Sequence, residues 1–513
     1  MQANRARIIL FIILLSSKAG MSQPWYFNEI YNHNNTWASG LSIIATDSGY
    51  FGCAVSPLTD PGYLCANTFV LSLNGEMTQW HTFGRDGADF YAGDEGSLAA
   101  CNGGFGLFSS VHDYENDSDY GIFYKFDQLG DTIFTKLFNN DSLFNTLVGR
   151  SCTETSDGGF ALVGSVSINY GYNDIILIKI DSTGNEQWRA YVGTDLSDWA
   201  KSIIQTSDGG YAIGSWTRIP WEVVTADPVV FKTDSLGVLE WTINLGGPFM
   251  DDKAVLCNTP DSCIMVLTAI ADSMYTPEYG YARTELVKVN LQGDTLWTKK
   301  CITSQNINFV SSIACTQNND YITCGTSKVS AYLPRVGWLF RFNSNGDSLW
   351  YRNYYYYPED TTYGRNYLYD VSFSNDNGFV ATGQASTIYP PNNERKIWVL
   401  KVDSVGCEIA DCWVGIGDKE TGRPGDGETG RDLEIWPNPA SQVLSVKSTV
   451  LSSGRDFNLF VYDVFGREVA EIKVPDRQDQ VQINVKSYPP GVYIAVLKNG
   501  CDLFGSSKFV VVR

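Results

Sequence analysis

Between residues 25 and 412, short runs of alternating or β-branched apolar residues are separated by turns rich in Asp, Ser, Asn and Gly, and these runs recur as two phrases. One phrase reads Ser202-Ile-Ile-Gln-Thr-Ser-Asp-Gly-Gly-Tyr-Ala-Ile-Gly214. It has copies at 155–164, 313–325 and 371–383, and weaker ones at 42–52, 98–107 and 255–268. The other reads Ile178-Lys-Ile-Asp-Ser-Thr-Gly-Asn-Glu-Gln-Trp188 and returns at Phe231 to Trp241, Val287 to Trp297 and Phe340 to Trp350, with degenerate copies ending at Trp80 and Phe134. Period-two runs flanking Asp-Gly-Gly or Asp-Ser-x-Gly predict a β-hairpin for each phrase, with glycine supplying the positive φ of the turn.

Two hairpins make a four-stranded unit, and the unit repeats. With Trp25 as first member, the closing aromatics stand at 25, 80, 134, 188, 241, 297 and 350, spaced by 55, 54, 54, 53, 56 and 53. One such sheet cannot bury its own faces, so repeats of this period stack on their neighbours. The expectation is an all-β chain whose main body is a seven-bladed β-propeller of four-stranded blades, with the recurring aromatics wedged between blades. After Asp403-Ser-Val-Gly406 no aromatic stands at the anchor position, so the last blade lacks its fourth strand. The segment Pro24 to Ile30 has the pattern to supply it, which predicts closure by the N-terminal strand.

The two ends of the chain differ from the repeats. Arg5 and Arg7 precede the apolar run Ile8 to Leu15, and Gly20 and Ser22 precede a cut before Gln23, so residues 1–22 read as a signal peptide. That run is too short to span a bilayer, and no other stretch is long enough, so the mature chain has no predicted transmembrane segment. Export makes the 12 cysteines candidates for disulfides, with Cys257–Cys263, Cys315–Cys324 and Cys407–Cys412 as the expected pairs. Only His33, His81 and His112 occur, and no C-x2-C pair, which leaves no predicted metal site and no cofactor motif. With 57 acidic against 37 basic residues, a net charge of -20 argues against a nucleic-acid partner.

Residues 413–431 are rich in Gly, Asp, Glu and Thr and read as a flexible linker. Residues 432–513 then carry Trp436-Pro437-Asn438-Pro439-Ala, Val461-Tyr-Asp463-Val-Phe-Gly466-Arg467, Tyr488-Pro-Pro490-Gly491-Val-Tyr493 and a closing Lys508-Phe-Val-Val-Val-Arg513. In order and spacing these segments resemble the type A C-terminal sorting domain of the type IX secretion system, with Trp436 where that family has tyrosine. The alternating run Phe457 to Asp463, the turn Phe465-Gly-Arg467 and the Pro-Pro-Gly before the next strand suit a small immunoglobulin-like β-sandwich. The resemblance implies recognition by the outer-membrane translocon and sorting machinery, and release or attachment at the cell surface.

The repeats resemble the uncharacterised propeller regions of exported Bacteroidetes proteins. The phrase ending at Trp188 is also similar to the tryptophan motif of quinoprotein dehydrogenases and to the Asp-box of sialidase-like propellers. Here, however, no adjacent cysteine pair exists and no sialidase arginine triad maps onto a motif. The connections between hairpins vary most and carry Tyr114, Tyr120, Tyr172, Trp216, Trp221, Tyr279, Tyr332 and Tyr389, the candidate ligand-binding residues. The first expectation is a non-enzymatic scaffold that binds carbohydrate or protein, with no catalytic residue assigned. The alternative is a hydrolase or lyase acting on polysaccharide through carboxylates at the channel mouth, such as Asp198, Asp251, Asp252 or Asp370.

Overall fold

The two phrases fold as the pattern requires, each into an antiparallel hairpin whose turn glycine has positive φ, as at Gly209 (84°) and Gly237 (82°). The computed structural model describes residues 26–32, 36–58, 62–139, 146–169, 172–218, 226–274, 280–302, 307–328, 335–356, 364–387, 395–409, 433–448, 457–463, 468–474, 480–499 and 502–512.

Strand β1 (Phe27–Tyr31) stands apart from the four that follow it, which form a sheet in sequence order: β2 (Ser39–Ala45), β3 (Gly49–Pro57), β4 (Leu64–Ser72) and β5 (Met77–Phe83). In the next sheet β8 (Gly104–Asp113) pairs with both β6 (Ala88–Phe90) and β7 (Leu98–Cys101), followed by β9 (Ser118–Phe126) and β10 (Thr132–Phe138). Regular four-stranded sheets follow, β11 to β14 (Leu147–Glu154, Phe160–Asn169, Tyr172–Ile180, Glu186–Val192) and β15 to β18 (Ser197–Gln205, Tyr211–Arg218, Asp227–Thr233, Leu239–Asn244). The same antiparallel pairing orders β19 to β22 (Val255–Asn258, Ile264–Met274, Gly280–Val289, Thr295–Cys301) and β23 to β26 (Ile307–Cys315, Tyr321–Lys328, Arg335–Phe342, Ser348–Tyr354). The last group has three strands of its own, β27 to β29 (Gly364–Phe373, Phe379–Thr387, Lys396–Val402), and β1 pairs antiparallel with β29, Phe27 opposite Lys401.

Buried clusters join each sheet to the next. Phe51 stacks on Phe105 at 4.0 Å between the first and second sheets, and Leu162 and Ile178 meet Phe108 between the second and third. The series continues through clusters centred on Phe231, Val266, Trp338 and Trp398. A further cluster carries Val380 and Val399 of the last group against Ile43 and Phe69 of the first sheet. Each wholly buried large side chain contributes roughly 1.5–3 kcal/mol, so these contacts hold the propeller-like stack together.

The recurring tryptophans are packing residues. Trp188 lies under the turn of the next sheet, where a methyl group added at Gly237 would fall 2.7 Å from its ring. Trp241, Trp297 and Trp350 meet Gly293, Gly346 and Gly406 in the same way. Two members of the expected series are corrected. Trp25 lies outside the described residues, and Phe27 takes the anchor place: it stands opposite Lys401 as Trp188 stands opposite Lys179, and it packs on Gly75. Trp80 is one position out of step, opposite Phe69, and stacks on that ring instead.

The hairpin disulfides are also corrected, because Cys257, Cys263, Cys315 and Cys324 are free thiols. Cys257 stands opposite Met265, Cys315 opposite Tyr321 and Cys324 opposite Ser312, so neither pair faces itself across its hairpin. Cys407 is disulfide-bonded, and Cys412 lies outside the described residues, as does the linker 413–431.

The C-terminal region has two antiparallel sheets. One joins β30 (Glu434–Trp436), β31 (Val443–Lys447) and β34 (Gln480–Asn484), and the other joins β33 (Glu468–Val474), β32 (Phe457–Asp463), β35 (Gly491–Asn499) and β36 (Asp502–Val511). They close on one buried cluster containing Leu444, Val446, Leu459, Val461, Tyr493 and Phe509.

Candidate ligand-binding face

The turns inside each phrase, such as 206–210 and 234–238, lie at one end of the strands. The connections between phrases and between sheets therefore lie at the other end. Of the aromatics expected there, Trp221, Tyr279, Tyr332 and Tyr389 are outside the described residues.

Tyr114 is 53% exposed, and its hydroxyl donates to Asp89 Oδ2 at 2.7 Å. That bond pushes the phenol up to about 12. Its ring meets His112 edge-on at 4.4 Å and Tyr63 at 5.5 Å, and Asp89 also accepts from the Leu64 N–H at 2.7 Å. His112 is held by Asp119 at 2.9 Å. These contacts make a fixed aromatic patch with Tyr63 and Tyr114 open to solvent. Tyr120 is half-buried on β9 opposite Val111, Tyr172 is exposed at the start of β13, and Trp216 is half-buried on β16. These four aromatics are spread over three sheets and do not converge.

Trp199 went unnoticed in the sequence. It faces Trp216 across β15 and β16 with ring centres 4.8 Å apart, and the Arg218 guanidinium lies 4.7 Å above its ring. Repeat position was the available signal, since Trp199 stands seven residues before the turn residue Thr206, as Tyr367 does before Ser374.

The centre of the sheets encloses a cavity of about 220 Å³ lined by Leu98, Ser151, Ile203, Val255 and Ser312. The loop Asp94-Glu95-Gly96 reaches into it. Lys201 Nζ donates to the Glu95 carbonyl at 2.8 Å, Lys253 pairs with Glu95 at 2.8 Å, and Arg150 reaches Asp94 at 3.5 Å. The Gly96 N–H donates to Leu41 O at 3.0 Å, tying the loop to the first sheet. Burial opposes ionisation of Asp94, but Lys201, Arg150 and Lys253 outweigh it and hold the carboxyl well below its ordinary value. The loop is a charged plug fastened to several sheets.

The four carboxylates expected at the channel mouth are engaged by this chain itself. Asp198 accepts from the Thr194 N–H at 2.6 Å and from the Thr217 hydroxyl, and Asp251 accepts from the Gly247 and Ala271 N–H groups at 2.5 and 2.7 Å. Both stand eight residues before the turn residues Thr206 and Thr259, the place held by Asn308 and Asn366 in later sheets. Asn366 does the same work with an amide, accepting from the Tyr356 N–H at 3.0 Å. Asp252 accepts from Val310 N–H at 2.8 Å, and Asp370 from the Ser42 and Ser312 hydroxyls and the Ile43 N–H. Burial pushes Asp251 up to about 6, against those hydrogen bonds. Asp174, also passed over in the sequence, is pushed up to about 6 by burial and by Asp198. Among the described residues no group of three His, Cys, Asp or Glu side chains is placed to hold a metal.

In the C-terminal region Trp436 is 41% exposed at the end of β30, and Pro437 and Pro439 flank Asn438 in the bend beyond it. Asn438 clips the last strand: its Nδ2 donates to Lys508 O at 3.1 Å and its Oδ1 accepts from Val510 N–H at 2.9 Å. Tyr493 is buried after Pro490 and Gly491, with its hydroxyl on Pro489 O at 2.8 Å. Asp463 ends β32, and Gly466 and Arg467 are outside the described residues.

A family model described as a secretion system C-terminal sorting domain matches residues 434–512. The C-terminus is a type IX sorting domain, and the chain is exported across the outer membrane to the cell surface or extracellular space, which implies contact with the secretion machinery. No curated protein matches the chain. Among solved structures it is similar to an ulvan lyase described as a polysaccharide lyase (10% identity, 74% of this chain and 96% of that one, TM-score 0.45). It is also similar to a Trypanosoma rangeli sialidase (8%, 95% and 89%, TM-score 0.42) and to the β-propeller domain of the Trilobed protease from Pyrococcus furiosus (8%, 72% and 95%, TM-score 0.40).

Proposed function

We propose that residues 23–412 form a seven-bladed β-propeller closed by β1, exported with a signal peptide at 1–22. A linker at 413–431 then leads to an immunoglobulin-like sorting domain at 432–513, and the propeller acts as a non-enzymatic scaffold that binds carbohydrate or an extracellular protein. The pairing of β1 with β29 and the buried clusters linking consecutive sheets support the closed ring. The observation that carries the binding reading is the exposed Tyr63 and Tyr114 patch, held by Asp89 and His112 on the face that carries the variable connections. Flat rings held in one orientation offer a sugar face contact area at little entropic cost.

The test is a glycan array probed with the signal-free chain, wild type and with Tyr114→Ala or Trp216→Ala. A defined glycan whose binding falls at least about tenfold in either variant supports the reading. A blank array with folded protein moves the ligand to protein. The polysaccharide hydrolase or lyase reading rests on one feature, the Asp174 carboxyl pushed up to about 6 beside Asp198. A bound glycan that shortens over time, and ceases to do so in Asp174→Asn, would replace the scaffold reading with that one.

A further inference from the structure

The chain is delivered outside the cell, where disulfides form and persist, yet several of its cysteines are free thiols. Cys53, Cys65, Cys152 and Cys324 are sealed in the interior. Cys257 and Cys315 are half-buried, and both pack against the cluster of Trp338 and Tyr321 that joins the fifth sheet, β19 to β22, to the sixth, β23 to β26. Cys257 lies on β19 and Cys315 on β23, the first strands of those neighbouring sheets.

The repeat fixes how these two places meet. Cys257 stands two residues before the turn residue Thr259, and Cys315 one residue before Thr316. In the last and first sheets the same places hold Ser372, two before Ser374, and Ala45, one before Thr46, and there Ser372 Oγ accepts from the Ala45 N–H at 3.1 Å. A side chain at the first place therefore reaches the backbone at the second across the boundary between sheets. Cys257 bears the same relation to Cys315: burial pushes its thiol up to about 12, the Cys315 thiol adds to the rise, and the Cys315 N–H opposes it. Neither sulfur is firmly held. The Cys257 thiol donates to Asn258 O at 3.4 Å and the Cys315 thiol to Thr316 O at 3.5 Å, weak bonds that rotation about Cα–Cβ gives up. Cys263 is turned to its own hairpin, with its thiol on Asp261 O at 3.7 Å.

We infer that Cys257 and Cys315 are oxidised to a disulfide on the way out of the cell, strapping the fifth sheet to the sixth. The bond is independent of any ligand the propeller binds. Its oxidant is another disulfide, carried by a thiol oxidoreductase of the periplasm or by a small molecule such as glutathione disulfide. One cysteine thiolate attacks that disulfide, forming a mixed disulfide and freeing one of the oxidant's sulfurs. The second cysteine then attacks the sulfur of the first, the S–S bond between them closes, and the oxidant's other sulfur leaves. Two electrons pass to the oxidant, which departs as thiols carrying the two protons the cysteines gave up. Both thiols are raised above their ordinary values, so thiolate is scarce at neutral pH and exchange is fastest before the two sheets close on each other. The closed loop of about 60 residues is long enough to stabilise the fold by restricting the unfolded chain.

The experiment collects the exported chain into an alkylating agent, digests it without reductant and maps the peptides by mass spectrometry. Wild type is set beside Cys257→Ser, Cys315→Ser and the double variant. The expected result is a linked pair of peptides carrying Cys257 and Cys315, lost in either single variant and on reduction. In melting curves, reductant should lower wild type by about 5 °C more than the double variant, whose remaining response belongs to the bond at Cys407. Reduced, folded wild type should re-form the link with glutathione disulfide, faster as pH is raised. Exported wild type with both thiols alkylated overturns the inference, and so does a link from either one to Cys263 or any other cysteine. These two readings come from wild type alone, so they decide the matter even where a Ser variant does not fold. A folded double variant that responds to reductant as wild type does overturns the strap.

Discussion

The Lys401 ammonium, sealed inside β29, stands 2.8 Å from Asp376 Oδ2 in the turn between β27 and β28. The same strap joins Lys179 to Asp157 at 3.0 Å, Lys232 to Asp208 at 3.0 Å, Lys288 to Asp261 at 2.6 Å and Arg341 to Asp320 at 2.8 Å. It explains why the two phrases always travel together: the Lys or Arg of one satisfies the Asp of the other. Asp376 also accepts from the Gly378 N–H at 3.0 Å, so one carboxylate fixes the turn and neutralises the strand. Removing the acid alone strands a buried cation, which costs about 3–5 kcal/mol, whereas replacing both partners by apolar groups costs far less. Asp376→Ala should therefore lower the urea midpoint strongly, and Asp376→Ala/Lys401→Met should recover most of the loss. Equal loss in both would show that the pair itself carries the stability.

The straps also set the response to acid. Burial opposes it, but hydrogen bonds from Thr155, Lys179 and the Gly159 N–H hold Asp157 at about 2, against an ordinary 3.8. Asp208, Asp261 and Asp376 are lowered as well. A depressed carboxylate contributes stability above its unfolded value, and that contribution is lost as pH falls through the folded one. Melting temperature should fall between pH 4 and pH 2, about the window these groups define, and Asp157→Asn should flatten part of the fall.

Asp174 works in the opposite sense. Its carboxyl titrates near 6 because burial and Asp198 both disfavour the charge. The folded chain therefore holds this proton more tightly than the unfolded chain, and the resulting stabilisation is lost as pH rises through about 6. Asp174→Asn removes the repulsion, so the variant should melt above wild type at pH 8 and lose that advantage at pH 4. A variant less stable than wild type at pH 8 would mean that Asp174 has a partner that needs its charge.

Strand β1 makes the next prediction. Phe27 packs on Gly75 and meets Tyr50 at 5.7 Å, while Asn28 accepts from Trp398 Nε1 at 2.6 Å. Emptying the ring's place costs about 3–5 kcal/mol. Phe27→Ala should lower the melting temperature and speed proteolysis at β29, whose edge β1 covers. Unchanged protease resistance would show that the first and last sheets stay joined without it.

How much of this was legible depends on the distance over which each contact acts. Hairpins such as Ser202 to Gly214 are local, so period and turn glycines sufficed. The strap from Lys232 to Asp208 was within reach, since both residues recur in the phrases, but nothing local says that the lysine turns inward. The closing anchor was misplaced by two residues, because Trp25 is the larger ring and only the register against Lys401 selects Phe27. The plug at Asp94 and Glu95 belongs to no phrase and meets Lys201 and Lys253 from distant sheets. Asp198 and Asp251 looked catalytic as isolated carboxylates; alignment with Asn366 reveals a place that holds backbone N–H groups. Half of the loop aromatics stand where repetition gives no guide at all.

Asn438 supplies the last prediction, on export. It forms two hydrogen bonds to the backbone of β36, and the neighbouring Ala440 N–H donates to Val510 O at 2.7 Å, so the start of the domain is stitched to its last strand. Each bond contributes about 1 kcal/mol, enough to loosen a small domain. Asn438→Ala should reduce the amount of protein reaching the cell surface, measured by surface biotinylation against the periplasmic fraction, while Asn438→Asp should retain the bond from the Val510 N–H and part of the export. Deleting residues 433–513 should abolish surface delivery altogether. If Asn438→Ala folds as well as wild type by melting yet is still retained in the periplasm, then the side chain is read by the secretion machinery directly. If it is exported at the wild-type level, the stitch to β36 is dispensable for sorting.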